Sequence, residues 1–387
     1  MSTELPSIDK IKAFFPKHRI CLVKVLLLLL ATIMESRTVN LNKCKSKVGK
    51  ATGKKDGKLP TIYTRFIRFF KMRSVDTFCI GITLLIMSLL ELEGAAHLVI
   101  DRTNWEIGEK KVNVLCLGLL LPNKVFIPVI WEILNKKGNS SEKERKALLK
   151  RFQEAWPGST AHPLMLLGDR EFVGAGWFSW MVSNSLSFVI RLRWQDYFGL
   201  SAAACGTTVF KLEQKIRRKV LANGFFQCAL TIEGHVFYMT VFPNTAKRRA
   251  KAKPNPGDDF VVLLSPFKNV KEISQNYRKR WGIEVFFRHV KQNGFNLEDL
   301  NLKNQQKVQL MFGVVAIAYC ICIRQGLKEA VINPQKTKKH GSKAVSQFRN
   351  GYDNLQNFVH NLNDLIQYMI GIILKPYDRL IIDLKSV

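Results

Sequence analysis

The residues best suited to chemistry lie at 277–291, Tyr-Arg-Lys-Arg-Trp-Gly-Ile-Glu-Val-Phe-Phe-Arg-His-Val-Lys. Successive residues of a helix are turned by about 100°. With Tyr277 at zero, Arg280 falls at about −60°, Glu284 at about −20°, Arg288 at about +20° and Lys291 at about −40°. One acid and four groups able to meet a phosphate therefore share a narrow stripe. Trp281 and Val285 point elsewhere and are expected to bury the helix. Taken alone, the stripe also fits a solvated face carrying the i,i+4 pairs Arg280–Glu284 and Glu284–Arg288.

Two acids upstream supply context. Asp101 and Asp169 each follow an apolar, strand-like run (LVID and LMLLGD), where a carboxylate emerges at a sheet edge. A single Asp after a strand is most often a cap or turn residue. Two such Asp plus one Glu on a later helix form the oxygen donor set that hard cations take. Two ions about 3.5–4 Å apart can activate an attacking hydroxyl and stabilise a leaving oxygen, which is the chemistry of phosphodiester cleavage. The other acids look different. Glu272 lies on the opposite face of the same helix, Glu298 and Asp299 look like a cap beyond Gly294, and Asp258 and Asp259 sit in a Pro/Gly loop. His162 and His289 read as structural, because two-metal phosphoryl transfer needs no histidine base.

These residues carry a resemblance. The sequence resembles the DDE transposases of bacterial insertion sequences, specifically insertion-sequence family four, whose signature is Tyr-x2-Arg-x3-Glu-x6-Lys. Tyr277, Arg280, Glu284 and Lys291 match it at every position, and LVIDRTNW at Asp101 and LMLLGDREF at Asp169 match the surroundings of its two aspartates. The resemblance covers about 95–325 and implies a ribonuclease H-like catalytic core with Asp101, Asp169 and Glu284 as catalytic, metal-holding residues. It implies two Mg2+ ions, with Mn2+ as a substitute. It also implies double-stranded DNA as substrate: terminal inverted repeats are cut by water and joined to target DNA by the freed 3′-hydroxyl. Tyr277, Arg280 and Lys291, with Arg288 on the same stripe, would contact DNA phosphates. A homodimer acting in the bacterial cytoplasm, at the nucleoid, is expected. The competing readings are a structure-selective nuclease on the same fold and a DNA-binding protein that has lost its catalysis.

The elements that position these residues read as an α/β fold. Residues 1–75 form a helical, basic N-terminal region expected to bind DNA. It holds a leucine run, a Lys-rich linker over 41–60, and a helix from Thr61 whose Ile62, Phe66 and Phe69 share one face. Residues 76–204 form the first part of the core. Strands are expected at His97–Ile100, Val112–Leu121, Val125–Leu134, Leu164–Leu167 and Phe188–Arg193, with helices at about 141–156 and Phe172–Val182. Residues 205–268 read as a β-rich insertion, with strands at Thr207–Leu212, Gln227–Ile232, Val236–Phe242 and Phe260–Leu264. Residues 269–326 return to the core, with helices over 269–292 and 303–326. Residues 327–387 are a C-terminal helical region with a basic linker at 334–350 and a helix over 354–374.

Composition narrows the partners. The chain has 387 residues, with 60 Lys plus Arg against 30 acids, a net charge of +30. Such an excess suits a polyanion, and nucleic acid comes first because phosphate neutralisation supplies most non-specific affinity. Nearly half the residues are apolar, which excludes a disordered chain. The apolar runs Val25–Ile33, Cys79–Leu90 and Val308–Ile323 fall short of about 18–20 uncharged residues and read as buried helices, so no membrane is expected. The eight Cys form no CxxC pair and read as reduced thiols.

Overall fold

The computed structural model describes residues 8–51, 59–90, 97–156, 164–245, 259–336, 343–357 and 362–374. Linker residues 52–58 and 337–342, His162 and Asp258 fall outside these ranges. One mixed sheet of eight strands organises the middle of the chain, in the spatial order 126–133, 110–120, 97–107, 165–168, 187–192, 260–265, 235–243 and 226–232. Strands β1 (His97–Ile107), β2 (Lys110–Leu120) and β3 (Phe126–Ile133) form an antiparallel meander. Gly108, with φ +60, closes the first hairpin, a left-handed conformation open to glycine at little cost. β4 (Met165–Gly168) pairs parallel to β1, and β5 (Ser187–Leu192) pairs parallel to β4. Between β3 and β4 lies α6 (Glu142–Ala155), started by a capping box in which Ser141 and Glu144 satisfy each other's backbone amides. α7 (Ala175–Ser183) links β4 to β5; Phe172 belongs to the preceding turn, so this helix starts later than its apolar run suggests.

The segment 205–268 departs from expectation in one element. Thr207–Leu212 is not a strand. After α8 (Phe198–Ala204), Thr208 caps α9 (Val209–Asn223), whose Leu212, Ile216 and Val220 recur every four residues and are buried. That helical period outweighs the β-branched start of the segment. The remaining strands of the segment join the main sheet. β6 (Phe226–Ile232) and β7 (His235–Pro243) make a hairpin through Glu233-Gly234, both at positive φ. β8 (Phe260–Ser265) pairs with β7 on one side and β5 on the other, so these strands extend the main sheet.

The core centres on α12 (Gln305–Ile332), buried continuously from Val308 to Leu327. Among the described residues it is the one helix long and apolar enough to cross a membrane, and its apolar stretch lies wholly inside the protein. The Trp131 indole N–H donates to the Gln309 carbonyl at 2.9 Å, tying α12 to β3. α13 (Gln347–Asn357) crosses α12 where Gly326 meets Gly351. A Cβ at Gly326 would sit 1.9 Å from the Gln347 carbonyl oxygen, and one at Gly351 would sit 1.8 Å from that of Cys322. The expected C-terminal helix over 354–374 is thus two elements, α13 and α14 (Leu362–Leu374), and α13 begins inside the stretch read as a linker.

The N-terminal helices share this core. α1 (Ile8–Lys12), α2 (Ile20–Ser36) and α5 (Val75–Leu90) bury Ile11, Leu26, Leu30, Ile33, Phe78 and Ile82 in one continuous apolar cluster with α12 and α14. Residues 41–51, read as linker, form α3 (Leu41–Ala51), because Leu41, Cys44 and Val48 give the lysine run a buried face. α4 (Leu59–Phe69) follows, with Phe66 and Phe69 buried and Arg65, Arg68, Lys71 and Arg73 exposed. Asp299 is not a cap for the following segment: its carboxylate accepts from Thr38 at 2.7 Å and Lys43 at 2.8 Å, fastening the N-terminal helices to the segment that precedes α12.

Candidate active site

The sheet register sets the first two acids side by side. β1 and β4 pair as far as Ile100 opposite Gly168, and the next residue on each strand is Asp101 and Asp169. Neighbouring strands lie about 4.8 Å apart, so both carboxylates emerge at one point. Asp101 does not end its strand, however. β1 runs on to Ile107 because β2 pairs with its whole length, so Asp101 stands where the parallel partner stops. Its Oδ1 accepts from the Arg102 amide at 2.8 Å.

The third acid arrives on a broken helix. The segment 277–291 is not one regular helix: α10 (Val270–Lys279) stops at Arg280, α11 (Trp281–Arg288) follows, and a π turn spans His289–Asn293. Gly282 permits this approach, since a Cβ there would lie 2.6 Å from the Lys124 carbonyl oxygen and 2.8 Å from Leu120 Cδ2. Ile283, Phe286 and Phe287 bury the inner face, with Phe286 against Phe126 and Tyr319. Glu284 is thereby held toward the two aspartates.

All three acids meet one guanidinium. Arg280 Nη1 lies 3.0 Å from Asp101 Oδ2, and its Nη2 lies 4.0 Å from Asp169 Oδ2 and also pairs with Glu284 Oε1. The Tyr277 hydroxyl donates to Asp169 Oδ1 at 3.4 Å. Burial pushes the Asp101 carboxyl up to about 7, against the pull of Arg280. Burial opposes the Arg280 charge, but Tyr277 and the three acids hold its pKa above the ordinary value. Burial likewise raises Tyr277, with Asp169 adding to it.

The basic stripe is therefore divided. Arg280 is buried, 7% exposed, and committed to the acids rather than solvated. Lys291 donates to the Asn104 carbonyl at 2.6 Å, pairs with Glu298 at 3.3 Å and stands over the Trp105 ring. Arg288 is exposed, as is Glu272 on its separate face. Trp281, expected to bury the helix, is 54% exposed: at 100° per residue it falls at about +40°, beside the exposed Arg288 at about +20°.

Sequence reasoning missed a supporting layer. Arg102 Nε lies 3.2 Å from both carboxylate oxygens of Glu171, and its Nη1 donates to Asn113 at 2.9 Å. Arg145 Nη2 donates to the Glu171 and Ser140 carbonyls, each at 2.7 Å. These bonds pin the turn after Asp169 to the strand that carries Asp101. The available signal was that Arg102 and Glu171 follow the two aspartates by one and two residues.

Three acids from a strand, a strand end and a broken helix thus converge at one edge of the sheet. Residues 93–321, well over half of the chain and inclusive of all three acids, match the transposase DDE domain family. The chain belongs to the DDE transposase family. No curated protein matches the sequence. Membership makes the transposase a nuclease-type enzyme of DNA that uses divalent metal. The donor chemistry agrees, since the convergent groups are carboxylate oxygens with no thiol or imidazole among them. As they stand, spread around a guanidinium, no three Asp, Glu, His or Cys among the described residues are close enough to share one ion.

Proposed function

We propose that the transposase binds the terminal inverted repeats of its own element, cuts them in a reaction dependent on two Mg2+ ions, and joins the freed ends to target DNA. The observation that carries this reading is the convergence of Asp101, Asp169 and Glu284 on Arg280 at the end of the β1–β4 pairing. The strand block β3-β2-β1-β4-β5, a three-strand meander followed by two parallel strands, supports a ribonuclease H-like core. The Tyr277, Arg280, Glu284 and Lys291 spacing supports insertion-sequence family four.

Asp101, Asp169 and Glu284 would hold the ions, which when bound lower the pKa of a water and offset charge on the leaving oxygen. Arg280 is then the internal counter-charge of the acids, and it becomes available to a DNA phosphate once their charge is met otherwise. The Tyr277 hydroxyl, on Asp169, and the exposed Arg288 would orient the end. The exposed cations of α4 support end recognition by residues 1–75. Two ends must be held at once, so we place the reaction in a homodimer, free of the membrane, at the bacterial nucleoid.

The test is incubation of purified protein with Mg2+, a duplex bearing the inverted repeat and a target plasmid. Wild type should give cut ends and joined products. Asp101→Asn, Asp169→Asn and Glu284→Gln should each lose cutting by more than about 100-fold while binding the duplex near normally. Cutting without joining would make the protein a nuclease, and near-normal cutting by any one variant would remove that residue from the site.

A further inference from the structure

Helix α9 sorts its charges. Leu212, Ile216 and Val220 pack inward, and Arg217 lies over Trp194 and Phe260, 5.6 and 5.2 Å from their ring centroids. Lys211, Lys215, Arg218 and Lys219 are all exposed, and none makes an ion pair among the described residues. The single acid of the helix, Glu213, accepts instead from Gln195 at 2.7 Å. With Lys211 at zero, Lys215 falls at about 40°, Arg218 at about −20° and Lys219 at about 80°, so the four cations fill one sector. From Lys211 to Lys219 the helix rises roughly 12 Å. Phe210, 69% exposed, and Leu221, 86% exposed, stand beside this sector near either end of it.

We propose that the outer face of α9 docks the phosphate backbone of duplex DNA, at a contact separate from the acids and from residues 277–291; this rests on the transposase reading above. Charge complementarity selects the occupant. A ladder of exposed cations along one helix face, without an ion pair among the described residues, matches a regular polyanion. A second copy of this chain fits poorly, since it carries the same net charge of +30. An anionic membrane fits poorly too, because the apolar side of α9 is already packed against β6 and β7 and is not free to enter lipid.

The experiment uses the full chain and a duplex of about 30 base pairs of arbitrary sequence, with affinity read by fluorescence anisotropy across a KCl series. Each phosphate contact contributes roughly 0.9 to the slope of log affinity against log salt. Lys211→Gln with Lys215→Gln should lower that slope by about 2, and the fourfold change at 211, 215, 218 and 219 by about 3–4. Lys143→Gln with Lys150→Gln, two exposed lysines of α6, removes equal charge and should leave the slope unchanged. All the substituted groups are exposed, and circular dichroism checks that the variants fold. An unchanged slope in the fourfold variant overturns the proposal, and so does an equal drop in the α6 control, which would make the effect one of diffuse charge. Loss of binding to phosphatidylserine vesicles with unchanged DNA binding would reassign the face to a membrane. If wild type binds no duplex at any salt, the transposase reading itself falls and takes this proposal with it.

Discussion

Arg280 buries a full positive charge among three carboxylates. Removing one partner of a buried ion pair costs about 3–5 kcal/mol, because the remaining charge is left uncompensated. Here Asp169 and Glu284 keep 28% and 31% side-chain exposure, so water screens part of that loss. Arg280→Gln should therefore destabilise the metal-free protein by roughly 2–3 kcal/mol. Because a divalent ion would supply the missing charge, Mg2+ should raise the melting temperature of the variant more than that of wild type. Thermal unfolding with and without Mg2+ measures both. An Arg280→Gln protein that melts at the wild-type temperature without metal would show that the guanidinium does not hold the acids.

Among the elements, α11 is the one whose close packing positions an acid of the site. It approaches the β2–β3 turn so closely that a Cβ at position 282 has no room. The obstacles at 2.6 and 2.8 Å are a backbone carbonyl and a buried leucine, which cannot swing aside. Gly282→Ala should cost about 1–3 kcal/mol, the usual penalty of overpacking. It should also push Glu284 away from Asp101 and Asp169, so cutting should fall by more than the stability loss explains. Comparing cutting well below the melting temperature with the fraction folded separates the two effects. Full activity of a destabilised Gly282→Ala protein would mean that α11 need not sit this close.

For the whole molecule, the shared core governs what can be removed. The apolar faces of α1, α2 and α3 are buried in the cluster that contains α12 and α14, and Asp299, ahead of α12, holds Thr38 and Lys43. A chain lacking residues 1–75 would expose that surface to water, at roughly 25 cal/mol for each Å2 of apolar area. It should aggregate or bind a hydrophobic dye such as ANS strongly, rather than survive as a catalytic core lacking only end recognition. Size-exclusion chromatography of the truncated chain decides this, and a monodisperse, cleavage-competent product would show that the N-terminal region is a separable unit.

Local signals in the sequence reached far. Apolar runs with turns between them located all but one of the strands expected from them, because strand periodicity and turn chemistry are short-range properties. The motif at 277–291 and the two aspartates that follow apolar runs singled out the acids that meet, since each is marked by its own neighbours. The rest depended on which surfaces face one another. Thr207–Leu212 looked extended until its apolar residues proved to continue at helical spacing through Val220. The lysine run at 41–51 became a helix because three scattered apolar residues found a core to enter. A uniform turn of 100° per residue put Arg280 on an open stripe. The packing of α11 on the sheet closes that stripe over the acids, so Arg280 meets them, while Trp281, at about +40° beside Arg288, stays in solvent. Spacing along the chain determined which residues could act; only the packing of α11 on the sheet decided which charges are shared inside the site and which are left exposed to solvent.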